Sequence, residues 1–268
     1  MSGLAILGAG KLGEALLSGM LRAGRPTDQI VVTARRPERA ALLTDRYGVR
    51  AVGNREAAAS ADMLLVTVKP QDIDVLLDEL GPAVDPGTLL VSFAAGIPTA
   101  YYEKRLPEGT PLVRVMTNTP VLVDEAMSAL SAGRHATEQH LDAVTGLLAP
   151  TGKVIRVPES QQDAVTALSG SGPAYFYFLV EAMTDAGILL GLPRAVAHDL
   201  IVQTALGAAV MLRDSGEHPV KLREAVTSPA GTTISAIREL ENHGVRAALI
   251  AAIEAARDRG RELGRAHE

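Results

Sequence analysis

The sequence predicts an α/β domain built on a parallel sheet, followed by an all-helical domain. Three observations carry that prediction. Short apolar runs alternate with helix-spaced segments through the first half of the 268 residues. A glycine cluster, Gly8-Ala9-Gly10-Lys11-Leu12-Gly13, lies directly between the first apolar run and the first helical pattern. Beyond Pro158 the strand-like runs cease and only helical patterns remain. The domain boundary is therefore placed there, giving segments 1–158 and 159–268.

The expected strands are Leu4–Leu7, Ile30–Thr33, Met63–Val68, Thr88–Ser92, Leu112–Met116 and Val154–Val157. Several are nearly continuous Val, Ile and Leu, as strands covered on both faces should be. Between them, spacings such as Leu12, Leu16, Leu17, Met20 and Leu21 describe one face of a helix. Strand–helix alternation implies parallel strands joined by right-handed crossovers. In the second half, Glu159–Leu190, Arg194–Arg213, Lys221–Ala225, Thr232–His243 and Val245–Ala266 read as mainly helix. They are punctuated by Gly191-Leu192-Pro193, by Asp214-Ser215-Gly216 with Pro219, and by Gly244.

The block Arg194–Arg213 is apolar almost all round: Val196, Leu200, Ile201, Val202, Leu206, Val210, Met211 and Leu212. A helix apolar on every side is buried on every side. It is either the centre of a monomeric bundle or part of an interface between chains. A helical segment of this size can hardly surround it alone. Ala205, Gly207, Ala208 and Ala209 also admit close approach by another helix, so an oligomer interface is expected.

Composition closes off several function classes. Hydrophobic residues make up 47% and charged residues 21%, ordinary values for a folded domain. Aromatics are 3% with no Trp, so the core must be built from Ala, Val, Leu and Ile. The net charge of −5 and the lack of a basic stripe argue against a nucleic-acid partner. Without cysteine there is no disulfide, thiol nucleophile, iron–sulfur cluster or cysteine–zinc site. The six histidines show no two-ligand helical spacing and no acidic cluster joins them, so no metal is expected. No run of about 18 apolar residues free of charges and breakers is evident, so no membrane span is expected. The N-terminal apolar run lacks a basic flank, so a signal peptide is not expected. A cytoplasmic protein acting on a small molecule follows.

The glycine cluster has the form G-x-G-x-x-G between a strand and a helix, the context in which it binds a dinucleotide. Gly8 permits the tight turn, Gly10 lets backbone approach a pyrophosphate, and Gly13 lets helix and strand pack closely. Ala9, Lys11 and Leu12 complete the turn, and the free N–H groups of the helix start face the phosphates. The second strand ends at Val32-Thr33-Ala34-Arg35-Arg36, about 20 residues on. No acid stands there to bond a ribose 2′-hydroxyl. Arg35 and Arg36 suit a 2′-phosphate, so NADP(H) is expected over NAD(H). The alternative is that they are solvated loop charges. Val68-Lys69-Pro70 and Ala94-Ala95-Gly96 end two further strands at the carboxyl edge, where ligands of open α/β sheets bind.

Two further clusters interrupt the helical half: Leu168-Ser169-Gly170-Ser171-Gly172-Pro173-Ala174-Tyr175 and Val226-Thr227-Ser228-Pro229-Ala230-Gly231-Thr232-Thr233. The second leads into a helix face of Ile234, Ile237 and Leu240. Free N–H groups and a hydroxyl at that helix start would suit a small carboxylate. The same spacing also suits an ordinary interhelical turn with Ser/Thr capping.

These blocks resemble those of the Δ1-pyrroline-5-carboxylate reductase family over essentially the whole chain. The most specific is Val226–Thr233 followed by Ala236-Ile237 and Leu240-Glu241. Val68-Lys69-Pro70, Phe93-Ala94-Ala95-Gly96-Ile97, Arg114-Val115-Met116-Thr117-Asn118-Thr119-Pro120 and Ser169–Tyr175 also resemble family blocks. The resemblance implies a Rossmann-type domain followed by an all-α dimerisation domain that interlocks with a second subunit. It implies dimers that can assemble into rings such as decamers, and reduction of a ring imine to L-proline with NAD(P)H. It further implies cofactor contacts at Asn54 and Asn118. Ser228, Ala230, Gly231 and Thr232 would hold the substrate carboxylate, with Thr233 as the catalytic residue facing the ring nitrogen.

Two departures stand out. Thr117 occupies a position usually proline in the family, and Glu217, before His218-Pro219, matches a substrate-binding glutamate with an offset of one position. His218 itself reads as a residue flanking a helix. Two rival functions are a β-hydroxyacid dehydrogenase and a non-catalytic NADP-sensing protein. The former needs a helix-borne lysine in the second domain. Of the five lysines only Lys221 lies there, just after Pro219. Replacing Arg35 and Arg36 together by neutral residues should raise the KM for NADPH far more than that for NADH; equal effects would remove the 2′-phosphate role.

Overall fold

The computed structural model describes residues 3–265. In chain order it runs β1 (Leu4–Leu7), α1 (Lys11–Arg22), β2 (Ile30–Val32), α2 (Pro37–Tyr47), β3 (Arg50–Ala51), α3 (Asn54–Ser60) and β4 (Met63–Val66). Then follow α4 (Ile73–Leu80), β5 (Leu89–Ser92), α5 (Thr99–Glu103), β6 (Leu112–Met116), β7 (Ala126–Ala132), α6 (Glu138–Leu148), β8 (Gly152–Arg156) and α7 (Gln162–Val165). The eight strands form one sheet in the order β3-β2-β1-β4-β5-β6-β7-β8. The chain leaves β1 toward β2 and β3, then returns to the other side of β1 as β4. That reversal creates the crevice at the strand ends where nucleotides bind.

The alternation along each strand explains the two layers. Leu4 and Ile6 face one cluster, which holds Leu16, Leu17 and Met20 of α1, Leu43 of α2, and Leu141, Val144 and Leu148 of α6. Ala5 and Leu7 face the other, with Ala57 and Ala58 of α3, Ile73, Leu77 and Leu80 of α4, and Tyr102 of α5. Each fully buried Leu or Ile contributes about 1.5–3 kcal/mol. The sheet, covered on both faces, therefore holds the strand ends rigid beneath the site.

The purely parallel sheet expected from sequence needs one correction. β6 and β7 pair antiparallel, Val115 opposite Leu130, while every other pair is parallel. A short connection containing a 3-10 turn at Thr119–Val123 joins them, too short for a crossover helix. Two strands were also not expected. β3 is two exposed residues. β7 reads Ala-Met-Ser-Ala-Leu-Ser-Ala, weak strand formers whose pattern conceals a buried strand. The side chain of Gln162 holds it in place, with Nε2 donating to Ala129 O (3.2 Å) and Ser131 Oγ (2.7 Å).

The remaining helices are α8 (Gly172–Leu189), α9 (Arg194–Ser215), α10 (Pro219–Ala225), α11 (Thr232–Asn242) and α12 (Val245–Arg265). Of the last block expected, Ala266 lies outside the described residues. The described residues divide into two compact units, one running to Ser171 and resuming at Ala256, the other Gly172–Ala255. Strands end at Arg156, close to Pro158, but the first unit also keeps α7 and a π turn at Thr166–Gly170. In the second unit α8 and α9 form a hairpin. A Cβ on Gly187 would stand 2.8 Å from that of Ala197, and Gly191 takes φ +93° at the reversal.

Within one chain α9 is not the centre of a bundle. Ala197 is its buried residue, while Leu200, Leu206 and Met211 are more than half exposed. Phe176, Tyr177 and Phe178 of α8 are exposed as well. By length and composition α9 is also apolar enough to cross a bilayer, which corrects the sequence expectation on that point.

One buried polar pair ties α5 to the sheet: the Tyr102 and Ser92 hydroxyls lie 2.6 Å apart, both inaccessible to solvent. Burial, the largest influence, pushes the Tyr102 phenol well above its ordinary pKa. Tyr102→Phe should lower unfolding free energy by about 1–2 kcal/mol in a urea titration, because the Ser92 hydroxyl loses a buried partner. An unchanged midpoint would show that the pair adds nothing.

Candidate functional site

The turn between β1 and α1 is set by contacts that only glycine allows. Gly8 takes φ +78°, and a Cβ there would lie 2.3 Å from Val68 Cγ1. Its N–H donates to Thr33 Oγ1 (2.9 Å), and the Ala9 N–H donates to Thr33 O (2.7 Å). A Cβ on Gly13 would meet Thr67 Oγ1 at 2.8 Å and Ile6 Cγ2 at 3.1 Å, so α1 rests on the sheet at van der Waals distance. Gly10 differs: a Cβ there would meet nothing nearer than Gly8 O at 3.8 Å, and the residue is exposed. Gly10 is also the N-cap of α1 and supplies no side-chain cap. The amides of Lys11, Leu12 and Gly13 therefore begin the helix unpaired, beside open space, as a phosphate site requires.

The other expected cofactor residues gather along the same carboxyl edge. Val68 packs against Gly8, and the exposed Lys69 leads into the 3-10 turn Pro70–Asp72 that precedes α4. Ala94 is buried, with its N–H on Ser92 Oγ (3.3 Å), while Ala95 is exposed and Gly96 turns with φ +80°. Asn54 starts α3. Its Nδ2 donates to Glu79 Oε2 (2.7 Å), but its Oδ1 is buried and lacks a partner among the described residues. A buried acceptor normally has a donor, and here a ribose or adenine group of a dinucleotide would supply one. Arg36 caps α2 and is exposed. Arg35 is 86% exposed and makes one long contact, 3.5 Å, to Asp72. Both guanidiniums have the freedom to meet a phosphate.

Asn118 is held internally. Its Oδ1 accepts from the Met127 N–H (3.0 Å) and its Nδ2 donates to Ser169 O (3.2 Å). Ser169 belongs to the π turn Thr166–Gly170, and a wide turn leaves carbonyls for outside partners. A Cβ on Gly170 would meet Met116 Cε at 2.9 Å, so the π turn is pressed against the end of β6. Thr117 bonds Ser128, hydroxyl to hydroxyl at 2.9 Å. That bond restrains the loop at the position where the resemblance leads one to expect proline.

The residues expected to bind substrate lie in the second unit. Thr227 Oγ1 donates to Arg223 O (2.6 Å), satisfying a carbonyl in the last turn of α10. Ala230 then takes φ +55°, a left-handed conformation costing about 1–3 kcal/mol for a residue with a Cβ. The Gly231 N–H donates to Ser228 O (3.1 Å), and a Cβ on Gly231 would sit 2.3 Å from Ser228 Oγ. Gly231 is the N-cap of α11 without a side-chain cap, leaving the Thr232 and Thr233 amides unpaired beside the Thr233 hydroxyl. Ser228, Ala230, Gly231, Thr232 and Thr233 thus share one strained turn. Glu217 lies apart, before α10, with Oε2 3.1 Å from Lys221 Nζ. His218 caps α10, Nδ1 accepting from the Val220 N–H (3.3 Å), as its helix-flanking position suggests.

Sequence reasoning missed the groups beneath the glycine turn. Arg39 of α2 donates Nε to Ala9 O (3.0 Å) and Nη2 to Gly10 O (3.0 Å) and Glu14 Oε2 (2.5 Å). Burial alone would raise the Glu14 carboxyl. Hydrogen bonds from Arg39 and Tyr47, with the charges of Arg39 and Arg46, outweigh it and hold the group below its usual pKa. Thr33 and Thr67 support the turn through their hydroxyls.

Comparison with known proteins accords with this geometry. Residues 159–263 match a family described as pyrroline-5-carboxylate reductase dimerisation, and residues 3–96 match one described as NADP oxidoreductase, coenzyme F420-dependent. A pyrroline-5-carboxylate reductase of Mycobacterium tuberculosis is 44% identical, covering 98% of this chain and 97% of its own. One of Corynebacterium melassecola is 45% identical over 99% and 100%. The solved pyrroline-5-carboxylate reductase of Coxiella burnetii superposes with a TM-score of 0.92 at 34% identity, covering 98% of each chain. The Plasmodium falciparum pyrroline carboxylate reductase, solved with NADP bound, gives 0.89 at 26% identity, again over 98% of each. With identity at that level running from end to end, the chain belongs to the pyrroline-5-carboxylate reductase family of NAD(P)-binding oxidoreductases.

Proposed function

We propose that the chain reduces the ring C=N bond of 1-pyrroline-5-carboxylate to give L-proline. The observation that carries this reading is the near full-length identity to curated reductases of that name. A bound NAD(P)H supplies the hydride. The α1 start, Gly8–Gly13, holds the diphosphate, and Asn54 Oδ1 accepts from the adenosine half. Val68, Lys69, Pro70, the backbone of Ala94–Gly96 and the Asn118 loop line the nicotinamide half. Arg35 and Arg36 grip a 2′-phosphate, which favours NADP(H) while leaving NAD(H) usable.

At the substrate turn the free N–H groups of Thr232 and Thr233 neutralise the carboxylate without a buried arginine, aided by the α11 dipole. The Thr233 hydroxyl hydrogen-bonds the ring nitrogen and orients it. The imine takes its proton from solution before reaction. Hydride addition to the adjacent carbon then gives the neutral ring amine, and no strong general acid is needed. Glu217 contributes to substrate binding from the α10 start.

Residues 1–158 form the nucleotide-binding domain, and 159–268 serve dimerisation and substrate binding. The apolar residues left exposed on α8 and α9 fit a homodimer with interlocked helical domains, able to build rings such as decamers. The dimerisation match across 159–263 includes α9, which favours a protein partner over lipid as its cover. This reading makes the protein cytoplasmic. A helix-borne catalytic lysine, needed for the β-hydroxyacid dehydrogenase reading, finds no support. Lys221 sits on the seven-residue α10, paired to Glu217.

NADPH oxidation dependent on added 1-pyrroline-5-carboxylate is the expected behaviour; cofactor binding without turnover would leave a sensing protein instead. Thr233→Ala should lower kcat/KM for the imine by about 100-fold, the loss of a well-placed hydrogen bond to the reacting centre, with NADPH affinity retained. Near wild-type kinetics would remove its role. Light scattering at micromolar protein should report a dimer or a multiple of it, and a stable monomer would contradict the interface.

A further inference from the structure

We propose that Arg39 is a positioning residue for the cofactor, fixing the glycine turn from below so that its amides stand ready for a diphosphate. This rests on the reading that the glycine turn holds that group. The guanidinium binds two consecutive carbonyls of the turn, Ala9 O through Nε and Gly10 O through Nη2, each at 3.0 Å. A peptide unit is planar, so fixing a carbonyl fixes the N–H that follows it. The Gly10 carbonyl shares its plane with the Lys11 N–H, the first unpaired amide of α1. The Ala9 carbonyl shares its plane with the Gly10 N–H, which closes the turn onto Gly8 O (2.6 Å). A turn carrying glycine at positions 8 and 10 has more backbone freedom than any other sequence would. Arg39 removes that freedom where the ligand is to bind.

Glu14 determines where the guanidinium sits. It accepts from Arg39 Nη2 at 2.5 Å, and its other oxygen accepts from Arg46 Nη1 (3.1 Å) and the Tyr47 hydroxyl (3.0 Å). The Arg39 and Glu14 side chains are only 20% and 18% exposed, so the pair is shielded from solvent and held in one geometry. α2 thus grips the start of α1 through three side chains. Glu14 also lies within one turn of the proposed phosphate site, where a bare carboxylate would repel the ligand. Two guanidiniums around one carboxylate leave the neighbourhood net positive. A lysine at position 39 would keep the charge but could not span both carbonyls and Glu14, since only guanidinium has the planar fork.

The diphosphate is common to NADP and NAD, so Arg39 should act on both alike, unlike Arg35 and Arg36. Titrate Arg39→Met, Arg39→Lys and Glu14→Gln with NADP+ and with NAD+, follow thermal unfolding, and include Gly10→Val. Arg39→Met should weaken both cofactors by about tenfold and equally, the loss expected for charge-assisted hydrogen bonds. Arg39→Lys should resemble Arg39→Met, and Glu14→Gln should weaken both cofactors less. In steady state the KM for either cofactor should rise, with kcat at saturation changing less than about twofold. If Arg39→Met fails to fold, Arg39→Lys decides. Lowered thermal stability with unchanged affinity for both cofactors would overturn the proposal, as would wild-type affinity in Arg39→Lys. Should Gly10→Val also bind both cofactors as the wild type does, the glycine-turn reading itself fails; weak binding by Gly10→Val beside normal binding by the Arg39 variants refutes only the role of Arg39.

Discussion

The structure depends on one steric constraint, the approach of the β1–α1 turn to its neighbouring strands. Gly8 touches Val68 at the end of β4 and bonds Thr33 at the end of β2, while Gly13 lies on Thr67 and Ile6. These contacts bring three strand ends and one helix start together at the point where strand order reverses. Side chains at positions 8 or 13 would separate α1 from the sheet. Position 10 alone faces open space, and it opens where the unpaired amides of α1 emerge. The same packing that stabilises the first unit therefore leaves the α1 start open where the proposed diphosphate would sit.

The chemistry assigned to the chain asks little of its side chains, which fits how few reactive groups the site contains. A protonated imine is already electrophilic, so orientation and charge neutralisation suffice. The glycine turn of the first unit and the Ser228–Thr233 turn of the second each offer backbone N–H groups for these roles, at the starts of α1 and α11. Each helix start follows a glycine N-cap that contributes no side-chain cap, leaving the amides for a ligand. At the second site the strain at Ala230 is held by the hydrogen bond from Gly231 to Ser228 and by the close fit of Ser228 against Gly231. Strain of this kind persists only where the surroundings enforce it.

Much of this was legible in the sequence, and the omissions have physical reasons. Strands buried on both faces, such as Leu4–Leu7 and Leu112–Met116, appear as uninterrupted apolar runs, and the glycine spacing reports local geometry directly. β7 escaped because Ala and Ser fill all but two of its positions, Met127 and Leu130, and residues so small give little strand signal. Its antiparallel direction escaped because it follows from a connection length rather than a composition. Arg39 and Glu14 escaped because 25 positions separate them and nothing local marks two charged residues as partners. The apolar helix α9 was recognised as unusual, but its exposure in the single chain emerged only from the fold. The Ser228–Thr233 turn was located, while the left-handed Ala230 that shapes it bears no sequence mark because alanine rarely adopts that conformation.

The central claim is that a dinucleotide on the glycine turn delivers hydride to an imine carbon while the α11 amides hold the neighbouring carboxylate. A crystal structure of the protein with NADP+ and L-proline tests it most directly. The diphosphate is expected against the α1 start and the proline carboxylate oxygens about 3 Å from the Thr232 and Thr233 nitrogens. The ring nitrogen is expected on the Thr233 hydroxyl and the Cδ carbon facing the nicotinamide. Proline bound away from that turn, or a dinucleotide seated elsewhere than Gly8–Gly13, would contradict it.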